Sequence, residues 1–260
     1  MKVHCCQLNI VWEDKTASHK RVAALLDAAS IEPSSLVVLP EMFATGFTRN
    51  VATMHDDETN QSRSFLGKMA SRHRCYIAAG LVGLAPDQRG RNLCEIYAPS
   101  GHRLDSYQKI HPFTFSGEAE QFEPGNELTS FDWQGCCVCP LVCYDLRFPE
   151  LFRHGVRKGA QLFAVIANWP SERVEHWTTL LRARAIENQA YVLGVNRCGT
   201  DPRLSYPGRS QIIDPRGKIL ADGGDAECTI SAPIDLVELG AYRRSFPALA
   251  DMRKEFLVRK

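Results

Sequence analysis

Short apolar runs and amphipathic stretches alternate along almost the whole chain. Val3–Val11 reads as a first strand, and Ser18–Ala29 follows with Val22, Leu25 and Leu26 on one helical face. Leu36–Leu39 is wholly apolar and stops at Pro40, the pattern of a short buried strand. Gln61–Arg72 has helical spacing, and Cys75–Val82 reads as the strand after it. Asn92–Pro99 and Gly101–Gln108 form a predicted hairpin. Leu128–Trp133 and Cys136–Val142 form another around Gln134-Gly135. Leu151–Lys158 reads as a helix and Gln161–Ala167 as a buried strand. Glu175–Gln189 is the longest predicted helix, with the strand Tyr191–Asn196 behind it. Ser210–Ile213 and Lys218–Ala221 flank the turn Asp214-Pro-Arg-Gly217, and Glu227–Ile234 closes the core. No linker or fixed-period repeat interrupts this alternation. Residues 1–260 therefore read as one layered α/β domain with helices outside two sheets.

Composition narrows the function classes. The chain is 44% hydrophobic and 23% charged, with 31 basic and 30 acidic residues for a net charge of +1. No basic block points to nucleic acid, and the basic C-terminal stretch from Arg253 reads as a solvated tail. No run approaches the ~18 apolar residues of a membrane span, and the N-terminus lacks a signal-peptide pattern, so a cytoplasmic location is expected. The ten cysteines mostly sit in apolar runs and read as reduced, buried thiols. Cys136, Cys137, Cys139 and Cys143 lack the paired spacing of a zinc site, and adjacent strand residues face opposite ways; no metal or other cofactor is expected.

Three segments share a design in which a strand-like run ends and then presents a charged or reactive side chain. They are Val37-Val-Leu-Pro-Glu-Met-Phe43, Ser106-Tyr-Gln-Lys-Ile-His111 and Leu141-Val-Cys-Tyr-Asp-Leu-Arg-Phe-Pro-Glu150. Ligands gather where the strands of an open α/β sheet end, so Glu41, Lys109 and Cys143 could meet there. The alternatives are a buried structural thiol at Cys143, a surface carboxylate at Glu41 and a solvated Lys109. His111 and Asp145 read as structural, and Arg147, Arg182, Arg184 and Glu187 as ion pairs at helix ends.

Together these segments resemble the nitrilase superfamily of carbon–nitrogen hydrolases over roughly Val3 to Ile234. Ala183-Arg-Ala-Ile-Glu-Asn-Gln189, Val195-Asn-Arg197 and Ile213-Asp-Pro-Arg-Gly217 add to the likeness. Glu41-Met-Phe-Ala-Thr-Gly-Phe47 and Ala167-Asn-Trp-Pro170 with His176-Trp177 are most similar to the omega-amidase branch. The resemblance implies a four-layer α-β-β-α sandwich of two mixed sheets with outer helices, and a homodimer or larger assembly. It implies a Glu41–Lys109–Cys143 triad with a second glutamate, for which Glu118 is the best match and Glu120 and Glu123 are rivals.

In that reading Cys143 attacks a carboxamide, Glu41 moves protons, and Lys109 with the Tyr144 backbone N–H stabilises the oxyanion. The implied substrates are 2-oxo-dicarboxylic acid monoamides, 2-oxoglutaramate first and 2-oxosuccinamate next. Other small amides, nitriles and N-carbamoyl compounds are the alternative, and a non-catalytic binding protein of the same fold is a third. Phe43, Phe47, Phe113, Phe115 and Trp169 are candidate pocket walls. Arg173 is the candidate clamp for the distal carboxylate, or else a surface residue before a helix. Pro207 and Arg209 depart from the family pattern, which affects the local loop rather than the triad.

Overall fold

The computed structural model describes residues 1–56 and 61–253. In chain order the elements are β1 (Lys2–Gln7), α1 (Lys15–Ala28), β2 (Leu36–Val38), α2 (Val51–Met54), α3 (Gln61–His73), β3 (Tyr76–Leu84), β4 (Gly90–Tyr97) and β5 (Arg103–Gln108). There follow α4 (Glu118–Gln121), β6 (Phe131–Trp133), β7 (Cys136–Val142), α5 (Pro149–Arg157), β8 (Leu162–Ala167), α6 (Val174–Asn188) and β9 (Tyr191–Asn196). The last are β10 (Cys198–Thr200), β11 (Ser205–Pro207), β12 (Gln211–Ile213), β13 (Ile219–Asp222), β14 (Cys228–Pro233) and α7 (Leu236–Ser245).

Two six-stranded sheets run in the orders β14-β1-β2-β3-β4-β5 and β13-β12-β9-β8-β7-β6. Both are mixed. β1, β2 and β3 pair parallel, as do β7, β8 and β9, while the outer strands pair antiparallel. The parallel centres need crossover helices, and these cover the outer faces. Strand alternation divides the side chains between two interiors. Val3, Cys5, Leu36, Val38 and Ile96 meet Val138, Val142 and Ile166 between the sheets. Cys6, Val37, Ile77 and Ala79 point the other way, against Val22 and Leu26 of α1 and Leu66 and Ala70 of α3. The α/β sandwich of two mixed sheets with outer helices expected above is the one found.

Three local differences have physical causes. The first strand stops at Gln7, where its ladder with β14 ends at Cys228. Beyond it Leu8 and Ile10 stay buried in loop conformation, and Leu8 accepts from the Cys198 N–H at 3.0 Å. The single-turn helices α2 and α4 are too short to show a period. Helix α7 has no counterpart among the elements expected above: Asp235 caps it, accepting from the Glu238 N–H at 2.9 Å, and aspartate three residues before glutamate resembles a capping-box start. The basic tail beyond Arg253 lies outside the described residues. Among those described, no helix is long and apolar enough to cross a membrane.

Candidate active site

Four polar side chains converge where strands of both sheets end. Glu41 follows β2, Lys109 follows β5, Cys143 follows β7 and Asn168 follows β8. Parallel strands point the same way, so their C-terminal ends gather residues that are distant in sequence. Backbone bonds fix the first two. Gly80 N–H donates to Pro40 C=O at 3.1 Å, and Lys109 N–H to Asn92 C=O at 2.9 Å. Gly80 admits the Glu41 turn because it lacks a side chain: a Cβ there would lie 2.4 Å from the Glu41 Cα and 2.5 Å from the Met42 nitrogen. Gly80→Ala should therefore displace Glu41. The expected result is a loss of more than about 2 kcal/mol in urea unfolding together with activity reduced at least about tenfold. Wild-type stability and activity in that variant would contradict the packing.

Glu41, Lys109 and Glu118 form one buried cluster. Lys109 Nζ donates to Glu41 Oε1 at 3.2 Å and to Glu118 Oε1 and Oε2 at 3.0 and 2.8 Å. Glu118 Oε2 also accepts from the Phe113 N–H at 2.6 Å, and Glu41 Oε2 from the Asn168 N–H at 2.8 Å. Asn92 Nδ2 donates to both carboxylates, at 2.7 Å to Glu41 and 2.9 Å to Glu118. Burial alone would lower the Lys109 pKa. The charges of Glu118 and Glu41 outweigh it and push the pKa above the ordinary lysine value, so the ammonium keeps its proton. Two carboxylates around one ammonium leave the floor of the site with an excess negative charge.

Cys143 is half-buried and adopts φ +48°, in the left-handed region, at the turn from β7 into the 3-10 segment Cys143–Arg147. A non-glycine residue held there stores strain that the surroundings must sustain, and such turns aim a side chain out of the strand direction. Burial pushes the thiol pKa well above its ordinary value and the Glu41 charge adds to this. The Lys109 ammonium and the Asn168 N–H act the other way. These opposing influences leave burial dominant, so the resting site favours the thiol over the thiolate.

These groups open onto one cavity. Lys109, Cys143 and Asn168 line its floor, and Phe47, Phe113, Tyr144, Trp169 and Tyr206 line its walls. Its mouth is cationic on balance, with Arg49, Arg147, Arg173 and Arg203 against the one carboxylate of Asp201. Arg147 corrects the sequence reading. It does not tie a helix end but lies 4.8 Å over the Trp169 ring and 3.2 Å from His176 Nδ1. Arg173 lies 5.6 Å over the Phe113 ring, with the exposed Glu172 carboxylate 3.4 Å away. Phe43 is also corrected: it is fully buried away from the cavity, its ring 5.7 Å from His19 and 6.2 Å from Phe65. The hydrogen bond from Phe43 N–H to Gly80 C=O turns the chain so that Glu41 faces the site and the phenyl ring faces the outer core. Phe115 touches Phe113 but is 85% exposed and does not line the cavity.

Of the three candidate second glutamates, Glu118 reaches Lys109. Glu120 is exposed, and Glu123 pairs with Arg91 at 2.6 Å. Asp145 accepts from the Tyr107 hydroxyl at 2.7 Å and from the backbone N–H groups of His111 and Val142. It thereby ties the lysine loop to the cysteine turn. His111 stacks on Phe148 at 3.7 Å. Among the described residues no three His, Cys, Asp or Glu are grouped to hold a metal. Asn92 has no place in the sequence reading, Asn168 enters it only within Ala167-Asn-Trp-Pro170, and Arg147 enters it in another role. The signal for Arg147 is its place four residues after Cys143 and that for Asn168 its place at the end of an apolar strand, whereas nothing local marks Asn92.

Comparison with known proteins places this geometry. The carbon–nitrogen hydrolase family model matches residues 2–244. The chain is 35% identical to the 2-oxoglutaramate amidase of Bacillus subtilis, covering 97% of this chain and 98% of that protein. It is 38% identical to the omega-amidase YafV of Yersinia enterocolitica, over 99% of each. Among solved structures, XC1258 of Xanthomonas campestris, a CN-hydrolase superfamily protein with an arsenic adduct in its active site, is 31% identical with a TM-score of 0.91. That match covers 97% of each chain.

Proposed function

The chain belongs to the carbon–nitrogen hydrolase family, and from that premise we propose that it is an omega-amidase acting on monoamides of short 2-oxo-dicarboxylic acids. The observation that carries the substrate assignment is the charge asymmetry of the cavity. Lys109 lines its floor with the Glu41 and Glu118 carboxylates directly behind, which disfavours an anion there, whereas four arginines against the single carboxylate of Asp201 line the rest. A substrate with a neutral carboxamide at one end and a carboxylate at the other fits only one way round, amide inward.

With the amide carbonyl against Cys143, the thiol proton passes to Glu41 as sulfur bonds to carbon. A group whose pKa is raised by burial reacts through such concerted proton removal rather than as a standing thiolate. Lys109 and the Tyr144 backbone N–H stabilise the oxyanion. Glu41 returns the proton to nitrogen, ammonia leaves, and a thioester remains on Cys143. Water then attacks with Glu41 as base, releasing the acid and restoring the thiol. Glu118 holds the ammonium that faces the reacting carbonyl.

At the mouth, Arg147 and Arg173 stand over Trp169 and Phe113 and supply guanidinium groups for the distal carboxylate. Arg147→Ala and Arg173→Ala should each raise KM about 10- to 100-fold with little change in kcat, because a carboxylate bound equally in ground and transition states affects binding alone. A 2-oxo monoamide ester-capped at the carboxylate should show the same loss. Ammonia release from 2-oxoglutaramate, 2-oxosuccinamate, uncharged aliphatic amides, nitriles and N-carbamoyl compounds tests the reading. Preference for an amide or nitrile without a carboxylate would overturn it. The enzyme is further read as cytoplasmic, in keeping with ten cysteines all present as thiols. It is also read as a homodimer or larger, which light scattering would test.

A further inference from the structure

We infer that Asn92 is a positioning residue that holds Glu41 and Glu118 charged and in place while Lys109 moves its hydrogen bonds onto the reacting carbonyl. The inference rests on the catalytic reading above. Asn92 touches Glu41, Glu118 and Lys109. Its side-chain nitrogen spends its two N–H bonds on the two carboxylates, and its backbone carbonyl accepts from the Lys109 N–H at 2.9 Å. The amide can face only one way, since its oxygen in that position would oppose two carboxylates. Its carbonyl Oδ1 is buried with no hydrogen-bond partner among the described residues.

The ammonium explains why a second bridge is needed. Among the described residues the hydrogen bonds from Lys109 Nζ run to Glu41 and Glu118. To stabilise an oxyanion, Lys109 must release at least one of them. Without Asn92 the two carboxylates would then repel each other across a buried site and turn away from the sulfur. The neutral amide neither leaves nor adds charge, so it keeps Glu41 aligned through the step.

The sign of the pH effect follows. Removing a donor from a carboxylate disfavours its charged form and raises its pKa. The acid limb of the kcat/KM profile, which reports the free enzyme, should therefore move to higher pH. The test uses the full chain with Asn92→Ala, the isosteric Asn92→Asp and Asn92→Asp combined with Glu118→Gln. It measures kcat and KM against pH, and the pH dependence of iodoacetamide alkylation at Cys143 without substrate. Asn92→Ala should shift the acid limb up by about one pH unit and lower kcat at least about tenfold, with KM within about twofold. Asn92→Asp should shift it further. The double variant, which restores one carboxamide and the original charge, should move back toward wild type in the alkylation profile.

Unmoved profiles in folded variants, or losses confined to KM, would overturn the inference. So would failure of Asn92→Asp and the double variant to fold, which would make Asn92 a structural residue. A wild-type protein that hydrolyses none of the amides would sink the amidase reading separately, since the alkylation profile needs no substrate.

Discussion

Cys143→Ala should lower ammonia release at least about 10⁵-fold on any amide the wild-type protein cleaves, while leaving the melting temperature within a few degrees. Loss of the sulfur removes the covalent route, and what remains is water attack assisted by Glu41 and the oxyanion donors. Stability should hold because alanine keeps the Cβ at the left-handed φ of +48° and removes only a half-buried thiol. Mass spectrometry gives an independent readout. A slow amide substrate should leave an acyl adduct on Cys143 of the wild type and none on the variant. Turnover within tenfold of wild type would end the thioester mechanism.

Lys109→Met should have the largest combined effect. Methionine nearly matches the side-chain volume, so the loss is one of charge. The variant leaves the Glu41 and Glu118 carboxylates buried with their shared cation gone, and breaking a buried ionic cluster in this way costs about 3–5 kcal/mol. It also removes an oxyanion donor, for an activity loss of at least about 10³-fold. The two effects can be separated by pH. As pH falls, one of the two unpaired carboxylates takes up a proton and the stability deficit relative to wild type should shrink, whereas activity should not return, because a protonated Glu41 is no base. Urea unfolding at several pH values checks the first part and ammonia release the second. An equally stable Lys109→Met protein would mean that the three groups are not in contact as found.

Much of the scaffold could be read from periodicity. Apolar runs such as Leu36–Leu39 and Gln161–Ala167 mark strands covered on both faces, and the turn at Asp214–Gly217 marks a hairpin. Such patterns are local, because the side-chain period is a property of the strand or helix itself. What they could not supply is the facing of residues in single turns and loops. Glu118 and Glu120 stand two residues apart in α4, yet one is fully buried against Lys109 and the other is exposed. Phe43 stands two residues after Glu41, and a turn sends it to the opposite side of the sheet.

The chain by itself determined the order of strands and helices and the kinds of group available: a thiol, carboxylates and an ammonium, each after a strand. Tertiary structure decided which arginines face the cavity, which glutamate reaches the lysine, and that Asn92 and Asn168 hold the carboxylates. The physical reason is distance along the chain. Asn168 bonds Glu41 across 127 positions and Asn92 bonds it across 51. Partners that far apart are selected by which strands lie side by side in a sheet, for Asn92, and by how the two sheets pack, for Asn168, which no local pattern encodes.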